Sequence, residues 1–526
     1  MTNKDISKIY FRGNEIVALY QGGTLIFKKK PTGVYIIKGS VKPDSTVQNI
    51  QFTVNDVKEQ IDINSDKTFE HTFTNVPITN MDYFTQPDRF ELKTIDLSSL
   101  NTSQVTSMLE LFYECGDLEE INLTNVNTSN VTTMRKMFDS CKKLTTLDLS
   151  NFDTRNVTNM DHMFRICTSL TSLDLTSFDT SKVTSMYNMF ENCTSLESLD
   201  LTSFDTSKVT SMHNMFENCK KLTTLDLSNF DTRNVTNMDH MFEECRSLTH
   251  LNVSSFDTSK VTSMYNMFWG CSGLTSLDVS NFNTSNVTSM DNMFWGCSGL
   301  TSLDVSNFNT SNVTGMTRMF CICSNLTSLD VSNFNTSNVT GMTRMFSICR
   351  NLTSLDVSNF DTSNVTNMDG MFDQCNSLTS LDVSNFDTSN VTNMDFMFSG
   401  CSNLTSIDLS GFETTKLTSI NDMFRECYEL KDLYINFDLK LISEYQREIF
   451  LSCSSLTNVV GKFNNFKQYL DLSFSPLTPD SAMVFINGLA TVTEKRRLSL
   501  KASTYDSLTP EQIAIATAKG WTVTRS

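Results

Sequence analysis

The chain has 526 residues, a formal net charge of −18, 39% hydrophobic and 19% charged residues, 15 Cys, 27 Met and 38 Phe, with only 18 Gly and 7 Pro. This composition excludes a disordered tail and collagen-like or Pro-rich low complexity, and the acidic balance argues against nucleic acid as a partner, since phosphate binding draws on clustered Lys and Arg. No apolar run approaches the roughly 18 residues of a membrane span, and the start, MTNKDISKIYFRGNEIV, lacks the basic and apolar regions of a signal peptide, so synthesis in a cytoplasm without a cleaved leader is expected.

In chain order, residues 6–30, ISKIYFRGNEIVALYQGGTLIFKKK, form three short β-runs broken by Arg12-Gly13-Asn14 and Gln21-Gly22-Gly23. They predict a compact β-meander over residues 1–31. The segment resembles small modules at the start of bacteriophage structural and tail-associated proteins. That resemblance implies attachment to other virion structural proteins through the N-terminal region. Residues 32–90, with VYIIKGSV, IQFTVN and KTFEHTFT, predict a small β-domain joining the meander to a long periodic region.

From residue 91 to 462 one period governs everything. Cysteines recur every 26 residues from Cys115 to Cys453, leaving only Cys321 outside the column. Two Met columns, beginning at Met108 and Met137, and a Phe column from Phe112 to Phe450 keep the same step. Fixed-period self-similarity of this length signals a solenoid, because no single unit buries its own apolar face. In the unit LTTLDLSNFDTRNVTNMDHMFRIC, the alternation of Leu144, Leu147 and Leu149 predicts a short strand. Val157, Met160, Met163, Phe164 and Cys167 then fall at spacings of three and four, which predicts a short helix, with Thr158 and Asp161 as its capping box.

The pattern LxxLxLxxF resembles a leucine-rich repeat, and the whole unit, FxxCxxLxxLDLSxFDTSNVTxMxxMF, is similar to the BspA-like family of bacterial surface proteins over roughly residues 91–460. The resemblance implies a curved α/β solenoid, a leucine-rich-repeat-like parallel sheet of about 15 rungs between Leu92 and Leu456, with strands on the concave face and short helices on the convex side. Phe152, Phe178 and Phe204 stand where the commonest leucine-rich repeat has Asn, so Asp153 and Thr154 and their equivalents become the candidates for satisfying the turn amides. Residues 463–526 lose the period: TPDSAMVFINGLATV and TPEQIAIATAKG read as helices, RRLSLKAS and WTVTRS as strands, an α/β C-terminal cap.

The candidate binding surface derives from the repeat. Asp148, Asp174, Asp200, Asp226, Asp278, Asp304, Asp330, Asp356, Asp382 and Asp408 occupy one outward strand position, with Asn122 and Asn252 as interruptions. Carboxylates stacked about 5 Å apart repel by roughly 1 kcal/mol in water and about 3 kcal/mol at an effective dielectric of 20, so the column needs hydroxyl donors, shifted pKa values or cations. Ser150, Thr176 and their equivalents are the donors at hand; calcium is the candidate cation, without EF-hand spacing to support it. Both readings stay open: a hydrogen-bonded solubilising ladder and a ligand-binding face. Trp269 and Trp295, one unit apart, make a second candidate contact point.

The Cys column falls at an inward position and reads as buried free thiols, with no zinc spacing and no metal expected. No HExxH, GxSxG, P-loop or GxGxxG is present, so no enzyme and no cofactor are expected. The function these readings point to is a non-enzymatic binding and structural protein, a bacteriophage tail or fibre component that binds a bacterial surface glycan or protein through the solenoid and resides in the virion. The alternative is a host-encoded adhesin or interaction scaffold at the bacterial cell surface.

Overall fold

Asn49–Val54 alternates buried Ile50, Phe52 and Val54 with outward residues, and pairs antiparallel with Val57–Asp62. Asn55 and Asp56 join the two strands at φ 50° and 62°, the doubly left-handed turn that matches strand twist. The computed structural model describes residues 6–11, 14–21, 24–28, 34–74, 77–86, 89–442, 446 and 448–526. Two compact units emerge, Met1–Val209 and Thr210–Ser526, and each is described by itself.

In the first unit, Ile6–Phe11, Asn14–Gln21 and Thr24–Lys28 form an antiparallel three-stranded sheet. The turn residues expected there, Arg12, Gly13, Gly22 and Gly23, lie outside the described residues. Val34–Val41 pairs antiparallel with Thr68–Thr74 on one edge and with Leu92–Asp96 on the other, and Leu92–Asp96 in turn pairs parallel with Glu120–Asn122. The sheet of the small β-region therefore runs directly into the first two repeat strands. Gly39 marks the junction: a Cβ there would sit 2.2 Å from the Thr94 carbonyl oxygen and 2.4 Å from Phe69 Cζ, so any side chain would force the strands apart.

The repeats of both units are turns of a solenoid whose interior is built from the periodic columns. Val157, Met160, Met163, Phe164, Cys167 and Leu170 are each 0% exposed, and their equivalents one period on repeat the pattern. The Phe rings stack along the column; Phe138 and Phe164 lie 5.8 Å apart at 2°, and Phe242 and Phe268 5.5 Å apart at 7°. Register follows the period, Thr224 opposite His250 and Asp226 opposite Asn252.

The expected convex helices are not there: among the described residues, the repeats contain no helix. Residues 157–167 instead form a column of consecutive tight turns. Amides of alternate residues donate forward to the next turn, Met134 to the Asn159 carbonyl (3.1 Å), Lys136 to Asp161 (2.9 Å), Phe138 to Met163 (3.0 Å) and Ser140 to Arg165 (2.7 Å). The intervening amides close local turns, Met137 back to Met134 (3.1 Å) and Cys141 back to Phe138 (3.1 Å). Two residues per turn adopt a left-handed conformation, His162 and Ile166 at φ 56° each. Their strain, of order 1–3 kcal/mol apiece, is offset by the inter-turn bonds and by burial. Thr158 is not a helix cap; its amide (2.9 Å) and hydroxyl (3.2 Å) both donate to the Thr132 carbonyl of the preceding turn.

At the other corner the missing Asn is replaced by a buried Thr. The Thr154 hydroxyl donates to the Asp179 carbonyl (2.9 Å) and accepts from the Asp179 amide (2.8 Å), and Thr154 is 0% exposed. Thr128, Thr232, Thr258 and Thr336 donate in the same way. Each buried hydroxyl thereby finds the partner that a buried polar group requires.

In the second unit Ser406–Leu409, Asp432–Asp438 and Asn458–Asn464 form a continuous parallel sheet. The helix Pro479–Gly488, capped by the Thr478 hydroxyl, lays Phe485 against Phe450 (5.5 Å) and Phe463 (5.1 Å) and so covers the last Phe of the column. Leu470–Leu472, Arg496–Leu500 and Trp521–Arg525 make a second parallel sheet, against which Pro510–Ala518 packs with a Thr509–Gln512 capping box.

Candidate binding surface

The Asp column is exposed at the outward position of the predicted strands, on the side that carries the strand-lined stretches, although only Asp226 and Asp408 fall within strands (Thr224–Asp226 and Ser406–Leu409) and the strand predicted at residues 144–149 does not form. Asp148, Asp174, Asp200, Asp226, Asp278, Asp304, Asp330, Asp356, Asp382 and Asp408 are all solvent-exposed. Each carboxylate accepts from the amide two residues on in its own turn: Thr176 to Asp174 at 3.0 Å, Ser306 to Asp304 at 3.0 Å, Ser410 to Asp408 at 2.9 Å. Hydroxyls add a second bond, Thr176 at 2.7 Å and Ser306 at 2.6 Å.

These donors hold the carboxyls below the ordinary carboxylate range. The amide is the larger cause in Asp148, Asp174, Asp200 and Asp226, and the Ser hydroxyl in Asp278, Asp304, Asp330, Asp356, Asp382 and Asp408. Neighbouring carboxylates push the other way, Asp304 and Asp356 on Asp330 for example, but more weakly. Repulsion along the column is thus outweighed within each turn by hydrogen bonds to the ionised form. Among the described residues no group of three or more His, Cys, Asp or Glu is placed to hold a metal ion.

At the Asn252 interruption the surface opens. A depression of about 390 Å³ is lined by Asp226, His250, Leu251, Asn252 and Asp278 among others. The Asn252 side-chain amide donates to Asp226 (3.1 Å), and Leu251 is half-buried where Leu225 one turn earlier is 3% exposed.

Trp269 and Trp295 stack at 4.8 Å and 7°, half-buried, with the Arg318 guanidinium 5.2 Å from the Trp295 ring centre. They lie on the turn-lined stretch, next to left-handed Gly270 and Gly296, rather than past a helix end. The Asp column and the Trp pair belong to different stretches of the turn and do not form one site.

The Cys column is buried and free. Cys115 donates to the Thr85 hydroxyl (3.1 Å), and thiols further along donate to the carbonyl of a Phe in the preceding turn, Cys167 to Phe138 at 3.2 Å and Cys271 to Phe242 at 3.0 Å. Burial pushes the Cys193, Cys245 and Cys297 thiols up to about 12.

Sequence reasoning missed the ionisable clusters of the turn-lined side. Buried Asp139 lies 3.7 Å from Arg165, which pairs with Glu191 at 2.8 Å; burial raises Asp139 to about 6 and lowers the half-buried His162 to about 4. Arg344 pairs with Asp369 at 2.9 Å. One signal would have found them: the position held by Asp139, Arg165, Glu191, Trp269, Cys321, Ser347, Asp373 and Arg425 changes identity from turn to turn while the Phe before it does not.

Comparison with curated proteins returned no match. Among solved structures, a leucine-rich-repeat protein of Leptospira interrogans aligns at 14% identity over 80% of this chain and 90% of its own, with a TM-score of 0.21. The functional domain of InlJ from Listeria monocytogenes, described as including a cysteine ladder, aligns at 15% identity over 79% and 76%, also at 0.21. The model of the family described as "Mycoplasma protein of unknown function, DUF285" matches residues 79–199, 184–298, 270–354 and 348–463. With four overlapping matches running through the 26-residue turns, the chain belongs to the DUF285 family of repeat proteins.

Proposed function

We propose that this chain is a non-enzymatic binding scaffold that engages a bacterial surface glycan or protein along its strand-lined side. One observation carries the reading: turn after turn presents the same exposed carboxylate, already locked by hydrogen bonds from its own turn. Groups fixed in advance lose little side-chain freedom on binding, and identical groups at a constant step suit a ligand that itself repeats. The test is binding of the full chain to isolated bacterial cell-wall glycan, comparing wild type with a variant carrying Asp→Asn at Asp304, Asp330, Asp356 and Asp382. Loss of binding in a folded variant supports the strand side; unchanged binding overturns it.

At the finer level we assign the chain to a bacteriophage virion, docked through residues 1–31 with the repeats facing outward. The support is the N-terminal resemblance together with adhesin-like repeats. Deleting residues 1–31 abolishes incorporation into particles on this reading, and undiminished incorporation sinks it. A host-encoded surface adhesin or scaffold is the second reading, favoured by the family description, which names Mycoplasma proteins. Capsid, portal or tail genes beside the coding sequence separate the two.

A further inference from the structure

In most turns a side chain occupies each left-handed corner: Asn266 and Asn292 at the first, Asn192, Ile322 and Ile348 at the second. Gly270 and Gly296 break that rule at the second corner of successive turns, and two further turns of the second unit break it in a staggered way. Gly370 takes the first corner (φ 57°) and Gly400, one turn on, the second (φ 68°). A Cβ at Gly370 would stand 3.0 Å from Arg344 Cγ, and one at Gly400 3.0 Å from Gln374 Cγ. Beside Gly400 lies a cavity of about 550 Å³ whose lining residues come from four turns.

We propose that this cavity binds an acidic sugar residue, a pyranose bearing a carboxylate. Three guanidiniums, Arg344, Arg350 and Arg425, line it against two acids, Asp373 and Glu426. Of the acids, Asp373 is 7% exposed and accepts from the Ser347 hydroxyl (3.3 Å); burial holds its pKa above the ordinary value. Among the lining residues the guanidiniums outnumber the carboxylates three to two, and Asp369, Asp422 and Glu448 pair with Arg344 and Arg425 from outside the lining.

Arg425 is committed to Asp422 (3.4 Å), Glu426 (3.2 Å) and Glu448 (3.0 Å), but the other two guanidiniums have capacity to spare. Arg344 commits its Nε to Asp369 (2.9 Å). Arg350 donates through Nη2 to the neutral Gln374 side chain (2.7 Å), and among the described residues it has no carboxylate partner. A guanidinium fork matches a carboxylate bidentately, so Arg350 with the Nη groups of Arg344 supplies the acid end of the site. The remaining walls suit a sugar ring better than a peptide side chain. Phe396 offers a half-buried ring for the apolar face of a pyranose. Asn376, whose amide donates to the Gly400 carbonyl (2.8 Å), keeps its side-chain oxygen for a hydroxyl donor, and Ser399 adds a hydroxyl to the lining.

This site is independent of the strand-lined reading, and its test separates the two. The full chain is titrated with glucuronic acid, with glucose as the neutral analogue and with N-acetylglutamate amide as an acidic peptide probe. Saturable glucuronate binding is expected, at least about tenfold tighter than glucose and about tenfold weaker in Arg350→Gln, the loss of one charge-assisted pair. Arg350 is exposed, so that variant keeps its fold. The Asp→Asn strand variant retains glucuronate affinity whether or not it loses cell-wall glycan. Equal binding of glucose, unchanged affinity in Arg350→Gln, or preference for the glutamate probe each overturns the proposal.

Discussion

The Cys141 thiol donates to the Phe112 carbonyl of the preceding turn across 3.3 Å. The same bond repeats from Cys297 to Phe268 and from Cys401 to Phe372. A sulfur-rich chain is thereby explained without metal or disulfide: the thiol is small enough for a crowded interior, apolar enough to stay dry, and still supplies a donor to a carbonyl of the turn before it.

Thiol accessibility tests this directly. Only the thiolate reacts with disulfide reagents, and burial drives these thiols far above neutral pH. The native chain at pH 8 is expected to label at almost none of its 15 cysteines, and at all 15 in denaturant. Rapid labelling of several native thiols would contradict the buried column.

The Thr ladder is expected to be the most sensitive polar feature. Thr154→Val keeps the shape but removes the hydroxyl that serves both the amide and the carbonyl of Asp179. Leaving these part-buried groups unpaired costs up to about 1–3 kcal/mol for each, read as a lower denaturant midpoint at unchanged slope. The Thr154→Ser variant keeps the hydroxyl and is expected to retain most of the wild-type midpoint; a midpoint as low as that of Thr154→Val would trace the loss to the methyl group instead.

Acid sensitivity follows from the Asp column. Each carboxyl titrates below its ordinary value in the folded chain because amides and hydroxyls bond its ionised form. The stability this lends is fully present above the ordinary carboxylate pKa of about 4 and disappears as pH falls through the depressed folded values. Melting temperature is expected to drop below about pH 4, with a shallower drop in a variant carrying Asp→Asn at Asp304, Asp330 and Asp356. Identical profiles would place acid sensitivity elsewhere.

His162 titrates in a separate window. Burial lowers it from 6.5 to about 4 in the folded chain, so protons bind the unfolded state first and stability falls as pH drops from about 6.5 towards 4. Asp139, raised to about 6 by burial, has the opposite effect, its protonation relieving a buried charge over nearly the same range. His162→Gln should therefore make the melting temperature rise on mild acidification, and Asp139→Asn should make it fall more steeply than in wild type. Equal slopes in all three chains would overturn both assignments.

Periodicity made the architecture legible. Columns such as Met160, Phe164 and Cys167 announce a shared interior because each falls at one step and none is polar. The helix did not follow, since spacings of three and four arise equally from a helix and from two successive tight turns. Only the backbone at His162 and Ile166 separates them; His is among the residues enriched in the left-handed region, but nothing in an Ile foretells that conformation. The Asp column was legible for the same reason as the core, by repetition. The cavity beside Arg350 was not, because its lining comes from four turns and shows itself only once the turns are stacked.

The forward-pointing amides have a consequence for assembly. Met264, Asn266, Phe268 and Gly270 all donate to the following turn, so along this turn-lined stretch a severed stack presents main-chain donors at one end and main-chain acceptors at the other. Such ends are unlike each other in the manner of a filament's plus and minus ends. Fragments cut between turns would join head to tail, in open strings, and never face to face as a closed twofold pair. The terminal helix with Phe485 seated on Phe450 is accordingly a stopper for polymer growth as much as a lid on the core.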